Sequence, residues 1–386
     1  MTPAPTLEGV RRTPLVEPGP PLTSEQVSRY SRHLLVPGMG IEAQRRLLNA
    51  RVAVVGAGGL GSPIVSYLAA AGTGHLTIID DDVIDATNLQ RQVVHRHDDV
   101  GRRKVDSAAA HVQGLNPDVS VEVRHTRITP ANAEELLAGH DLVLDGADNF
   151  PTRYAVSDAC TALGIPVVWA AVLRFDAQIS TFVPGGGEAV TLRDLFPVPP
   201  RPEDVPSCSE AGVLGALVGQ VGSIMAGEAV KLICGFGEPL VGRVLLVDAL
   251  SQRVREIPLR PVGAVVQQPV HEPVRDLVPL VEVPAVDVSQ ELAQGAGPVL
   301  LDVREPAEHA LGTVPGALPV PVGEVLTWDE LVGQLPGGPV VVYCKTGPRA
   351  RRAAAHLVKI GHPDVRVMTG GMLAWVEHVD PSLPSY

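Results

Sequence analysis

Two groups of residues in this 386-residue chain have the types and spacing that chemistry needs. The first runs from Gly56 to Asn149. Gly56-Ala57-Gly58-Gly59-Leu60-Gly61 follows an apolar, β-branched run, and its glycines let backbone take positive φ and approach a phosphate closely. Ser62 and Pro63 suit the first positions of a helix, whose free amides would face the phosphate oxygens. Asp80 ends the next apolar run and stands where a ribose hydroxyl binds. Asn88 and Arg91 stand within reach of ligand phosphates, and Lys104 adds a second cation. Asp148 either holds Mg²⁺ or caps the helix that begins near Pro151. Taken together, the set fits attack of a carboxylate on the α-phosphate of ATP, giving an acyl adenylate. The second group is Cys344-Lys345-Thr346-Gly347-Pro348-Arg349. A cysteine between a strand and a helix N-terminus gains amides that favour thiolate, and Lys345 and Arg349 add positive charge, which suits a persulfide. The same C-x-x-x-x-R spacing also cradles an oxyanion in the manner of a phosphatase loop.

These residues need particular elements to hold them. Val52–Val55 is continuously apolar, as expected of a strand buried on both faces of a parallel sheet. Ile64, Val65, Leu68 and Ala71 give the next segment a helical apolar face, Gly72 and Gly74 end it, and Leu76–Ile79 returns as a second strand. Lys104 opens a helix that reaches Leu115, where Asn116-Pro117 stops it. A strand over 119–123, a helix over 131–138 and a strand over 141–145 follow, the last delivering Asp148 and Asn149 to the edge of the glycine loop. Upstream, Thr23-Ser24-Glu25-Gln26 reads as a helix start, with a second helix over 41–48. The glycine turn alone fits a dehydrogenase equally well.

Composition narrows the classes. A net charge of -12 and 3% aromatic residues argue against a nucleic-acid groove, since few rings are available for base stacking. The apolar run 213–226 is shorter than the roughly 20 residues of a membrane span and reads as a buried helix. No secretory signal is evident at the start, so a cytoplasmic protein is expected. Cys160, Cys208, Cys234 and Cys344 stand singly, as reduced thiols do. Cys160 and Cys234 fall in apolar helical patterns. Cys208 precedes the helix near Val213, either as inert packing or as a thiol activated by that helix.

Arg29-Tyr-Ser-Arg32, the glycine loop, Asn88-Leu-Gln-Arg91-Gln, Lys104, Asp148-Asn149 and Cys208-Ser-Glu-Ala-Gly212 together resemble the adenylating domain of the ubiquitin-activating superfamily. The branch in question is that of the molybdopterin-synthase adenylyltransferases and their thiamine-pathway relatives. The resemblance implies ATP and Mg²⁺, a homodimer, and a small ubiquitin-like sulfur carrier whose C-terminal Gly-Gly is adenylated. By position, Gly56, Gly59, Asp80, Asn88, Arg91, Lys104, Asp148 and Asn149 would line the ATP site, with Asp148 on Mg²⁺. Arg32 would reach across the dimer to the phosphates, and Cys208 would be the reactive cysteine of a crossover loop. Relatives commonly carry a zinc held by two C-x-x-C pairs. The corresponding segments here lack cysteine, so no zinc is expected, and Leu192, Leu195 and Phe196 would pack in its stead.

Further on, Leu301-Asp302-Val303-Arg304-Glu305-Pro306, Gly312-Thr-Val-Pro-Gly316 and the Cys344 loop resemble the rhodanese domain, with Cys344 as persulfide carrier. Asp302 and Arg304 read as an ion pair supporting the loop. The resulting fold class is α/β: a Rossmann-like adenylating domain with a mixed sheet, plus a smaller α/β rhodanese domain. The expected division is a disordered tail over 1–22, the adenylating domain over 23–262, a linker over 263–280 and the rhodanese domain over 281–386. The fusion resembles the two-domain sulfur-carrier activators. That implies adenylation of the carrier, then persulfide transfer to a thiocarboxylate serving molybdenum cofactor, thiamine, cysteine or tRNA thiolation, with a persulfide donor such as a cysteine desulfurase. Activation of a ubiquitin-like protein for conjugation is the alternative. Neither nucleic acid nor membrane is expected as a direct partner.

Overall fold

The computed structural model describes residues 13–185, 189–200, 212–261, 280–295, 297–327, 335 and 338–384. These divide into two compact units, one before residue 262 and one after residue 279. Cys208 and the expected linker lie outside the described residues, apart from the linker's last position.

The first unit is built on an eight-stranded sheet. Its strands are β1 (Arg51–Val55), β2 (His75–Ile79), β3 (Ser120–Arg124), β4 (Leu142–Asp145), β5 (Val167–Leu173), β6 (Asp176–Phe182), β7 (Arg243–Asp248) and β8 (Arg253–Pro258). They lie in the order β3-β2-β1-β4-β5-β6-β7-β8, with parallel pairing as far as β5 and antiparallel pairing from there on. Alternation along β1 serves two cores. Val52 and Val54 belong to a core with Leu68 and Val221, while Ala53 and Val55 belong to one with Val156 and Trp169. The chain leaves β1 for β2 on one side and reaches β4 on the other, so the carboxyl ends of β1 and β4 open a crevice at the switch point.

Two expectations need correction. Residues 13–22 are no loose tail: Val16 is buried, the Leu15 amide donates to the Leu232 carbonyl at 3.1 Å, and the Arg45 guanidinium reaches the Gly19 carbonyl at 2.8 Å. Leu15 and Val16 supply apolar contacts that the prolines around them obscured in the sequence. The helix expected to begin near Val213 runs from Gly215 to Cys234, twenty residues, and ends on the left-handed Gly235. By length and composition it could cross a membrane, but Leu217, Val221 and Met225 sit in the core. Its buried Glu228 accepts from the Leu240 amide and the Thr181 hydroxyl and pairs with Lys231. Leu192, Leu195 and Phe196 do pack together with the second core, Phe196 meeting Phe150 edge-on with ring centroids 5.4 Å apart.

The second unit is a five-stranded parallel sheet of order β11-β10-β12-β13-β9, with β9 at Val281–Pro284, β10 at Val299–Asp302, β11 at Leu318–Pro319, β12 at Val340–Tyr343 and β13 at Val365–Thr369. Both faces of β12 are covered: Val340 and Val342 pack with Leu357, and Val341 and Tyr343 with Trp375.

Candidate active sites

In the first unit the crevice holds a cavity of about 340 Å³, within the range of small-ligand sites. Gly56, Gly59, Asp80, Arg91, Lys104, Asp148 and Asn149 all line it. Gly56 has φ +87°, and a Cβ at Gly61 would stand 1.9 Å from the Gly56 carbonyl oxygen, so both positions require glycine for the loop to fold this tightly. Asp80 accepts the Ala57 and Asp82 amides, each at 2.8 Å. Burial raises the Asp80 pKa; Lys104 and these two amides offset part of that rise. Lys104 is itself buried, where a helical lysine is ordinarily on the surface, and its ammonium reaches Asp82 at 2.7 Å. Arg91 donates to the Thr87 carbonyl at 3.3 Å.

Of the two roles left open for Asp148, the helix cap falls to its neighbour. Asn149, not Asp148, caps the helix Phe150–Leu163, accepting from the Thr152 amide at 3.0 Å, and this leaves Asp148 exposed on the cavity wall. Exposed carboxylate oxygens of this kind are the hard donors that Mg²⁺ prefers, and Asp80, Asp81 and Asp82 bring further carboxylates to the same wall. One residue expected at the ATP site does not line the cavity. Asn88 instead closes the short turn before it, its side-chain oxygen accepting the Asp85 amide at 3.3 Å. Arg32 is exposed on the short helix Ser31–Leu34, outside the cavity of its own chain. Among the lining residues that escaped the sequence reading is Arg153, on the helix after Asp148: it is buried, donates to the Ala147 carbonyl at 3.1 Å and lies over the rings of Phe150 and Trp169. Its signal was the i, i+5 placement after Asp148, which alone does not distinguish a lining residue.

In the second unit Cys344 leaves the end of β12 and is fully buried. The Gly347 amide donates to its Sγ at 3.1 Å, at the start of the helix Pro348–Lys359. A second helix, Gly371–His378, meets the same loop: the Met372 amide donates to the Cys344 carbonyl at 2.8 Å, and a Cβ at Gly371 would lie 2.3 Å from that oxygen. Lys345 is buried, Thr346 exposed. Arg349 makes a two-pronged pair with Glu308, at 2.5 and 2.9 Å. The sequence named Arg349 as a charge beside the sulfur but not Arg351, one turn in from the loop, whose guanidinium lies 3.2 Å from where a Gly347 Cβ would be. A hydrogen bond to Glu282 raises the Arg351 pKa. Behind the loop, Asp302 and Arg304 form the expected buried pair, at 2.5 Å, and Tyr343 and Thr313 also donate to Asp302. Burial alone would raise the Asp302 pKa, but Arg304 and the Tyr343 hydroxyl hold it below the usual carboxylate range.

Comparison with known proteins agrees with this layout. Residues 30–263 match the ThiF family and residues 285–378 match the rhodanese-like domain. A probable adenylyltransferase/sulfurtransferase MoeZ of Mycobacterium tuberculosis is 42% identical, covering 97% of this chain and 98% of the relative. Adenylyltransferase and sulfurtransferase MOCS3 of Sus scrofa is 36% identical over 96% of this chain and 90% of its own length. The SAMP-activating enzyme E1 of Haloferax volcanii is 52% identical over 62% of this chain and 87% of its own length. Among solved structures, the E. coli protein MccB shares the fold of the first unit, with a TM-score of 0.54 at 22% identity over 62% of this chain and 73% of that one.

Proposed function

This chain belongs to the ThiF family, carries a rhodanese-like domain behind it and is an adenylyltransferase and sulfurtransferase; we propose that its substrate is the C-terminal glycine of a small ubiquitin-like sulfur carrier. The observation that carries the reading is the pairing, in one chain, of a glycine crevice lined by Arg91, Lys104 and Asp148 with a cysteine whose sulfur accepts the Gly347 amide at a helix start. The carrier carboxylate attacks the α-phosphorus of ATP, the bond to the β,γ-pyrophosphate breaks, and an acyl adenylate forms. Arg91 and Lys104 neutralise the charge that develops on the phosphates. Asp148 would hold Mg²⁺, which when bound supplies further charge neutralisation. Sulfur delivered by a persulfide donor resides on Cys344. Its outer atom attacks the activated carbonyl and AMP departs, leaving an acyl disulfide. A thiol then attacks the Cys344 sulfur, the S–S bond breaks, and the carrier leaves as a thiocarboxylate; Cys208 is the thiol the sequence offers. A homodimer in which Arg32 reaches the partner's phosphates, in the cytoplasm, completes the proposal.

The test is carrier-dependent exchange of pyrophosphate into ATP, with a Gly-Gly-ended carrier. Asp148→Ala is expected to lose exchange by about 100-fold or more, and Cys344→Ala to keep exchange while losing thiocarboxylate formation. An enzyme that binds ATP yet exchanges with no such carrier would refute adenylation. The match to a SAMP-activating enzyme E1 favours a second reading, activation of a carrier for protein conjugation; carrier joined to lysines in a reconstituted mixture would establish it.

A further inference from the structure

The cavity residues do not by themselves fix the glycine loop. Ala57, its second residue, is held from two directions by side chains. Its amide donates to Asp80 at 2.8 Å, and its carbonyl oxygen lies 2.9 Å from Nε2 of His95. His95 is buried, outside the cavity lining, thirty-eight residues further along the chain. A carbonyl only accepts, so Nε2 carries the hydrogen and donates it. The other ring nitrogen, Nδ1, lies 3.0 Å from the Ser107 hydroxyl, and Ser107 lies 2.9 Å from Asp99. Asp99 also pairs with Arg102. The line Asp99, Ser107, His95, Ala57 therefore ties the helix Lys104–Leu115 to the loop.

We propose that His95 is a positioning residue for nucleotide binding: it fixes the Ala57 peptide so that the following amides of the glycine loop face the phosphates. A flipped Ala57–Gly58 peptide would surrender the bond to His95 and turn a carbonyl toward the phosphate site, where like charge repels. Burial lowers the His95 pKa, the bond to Ala57 raises it, Lys104 and His111 lower it and Asp99 raises it, for a net lowering.

The inference rests on the ATP reading, and the experiment separates the two. ATP affinity and pyrophosphate exchange are measured for wild type, His95→Gln, which keeps a donor at similar reach, and His95→Leu, which has none. The expected result is a KM for ATP raised about tenfold in His95→Leu, as for loss of one buried hydrogen bond, with kcat changed far less, and a KM within about twofold of wild type in His95→Gln. Equal behaviour of the two variants, both impaired or both intact, overturns the role of His95 while the ATP reading stands. Wild type that binds no ATP overturns both. Should His95→Leu fail to fold, Ser107→Ala takes its place: it unpins the ring and is expected to raise the KM for ATP about threefold, and an unchanged KM overturns the proposal.

Discussion

At the scale of single residues, burial decides which charges are usable. Asp145 closes β4, fully enclosed, and burial lifts its pKa to about 6, against the lowering effects of Arg153 and the Ala147 amide. The sign follows directly. A carboxyl whose folded pKa is raised stabilises the fold fully below its unfolded pKa near 4, and the benefit is lost as pH rises through 6. Asp145→Asn is therefore expected to gain about 3 kcal/mol relative to wild type between pH 4 and pH 8, as read by denaturant unfolding at each pH. A flat difference would show that the carboxyl is not held neutral. Arg351 supplies a second case. Arg351→Gln is expected to slow alkylation of Cys344 at neutral pH by about 3–10-fold, while Glu282→Gln, freeing the guanidinium, speeds it; identical rates in all three proteins would remove Arg351 from the site. Motif residues were legible because the glycines, Arg91, Lys104, Asp148 and Cys344 announce themselves by type and order. Arg153, His95 and Arg351 were not, because their roles come from what tertiary folding sets beside them.

At the scale of elements, strands and helices with one strong period were readable from sequence, namely β1, β2, β4, β10 and β12 and the helix Gly61–Ala71. β3 was placed one residue early. The antiparallel strands β5 to β8 went unnamed individually, because their pairing turns on β5 and β6 folding back at Leu173 and Asp176, with Arg174 at φ +55°, which no local glycine signals. The helix Gly215–Cys234 was cut short at the polar Gly227-Glu228, although Glu228 finds its partners inside the fold. That helix also carries a position of forced closeness: a Cβ on Gly222 would lie 2.4 Å from Pro63 Cγ and 2.6 Å from the Leu60 carbonyl. Gly222→Ala is expected to cost about 1–3 kcal/mol through overpacking and, by pushing on Leu60, to weaken ATP binding; thermal melting together with ATP titration checks both.

At the scale of the whole molecule, each unit has cores of its own on both faces of its sheet. Two calorimetric transitions are expected, addressed by separate substitutions. Asp302→Asn leaves Arg304 buried without its carboxylate and should lower the second unit's transition by about 3–5 kcal/mol, whereas Gly222→Ala moves only the first; one shared transition displaced by either change would contradict this. The depressed Asp302 carboxyl gives the second unit a stabilisation that is present above about pH 4 and lost on further acidification. The enclosure of sulfur extends through both units, since Cys160, Cys234 and Cys344 are all buried. Peroxide meets none of these three thiols at the surface, which disfavours their irreversible steps from sulfenic to sulfonic acid. A persulfide on Cys344 sets its outer atom about 2 Å beyond Sγ, so oxidants are expected to meet sulfur sooner in the loaded enzyme than in the empty one.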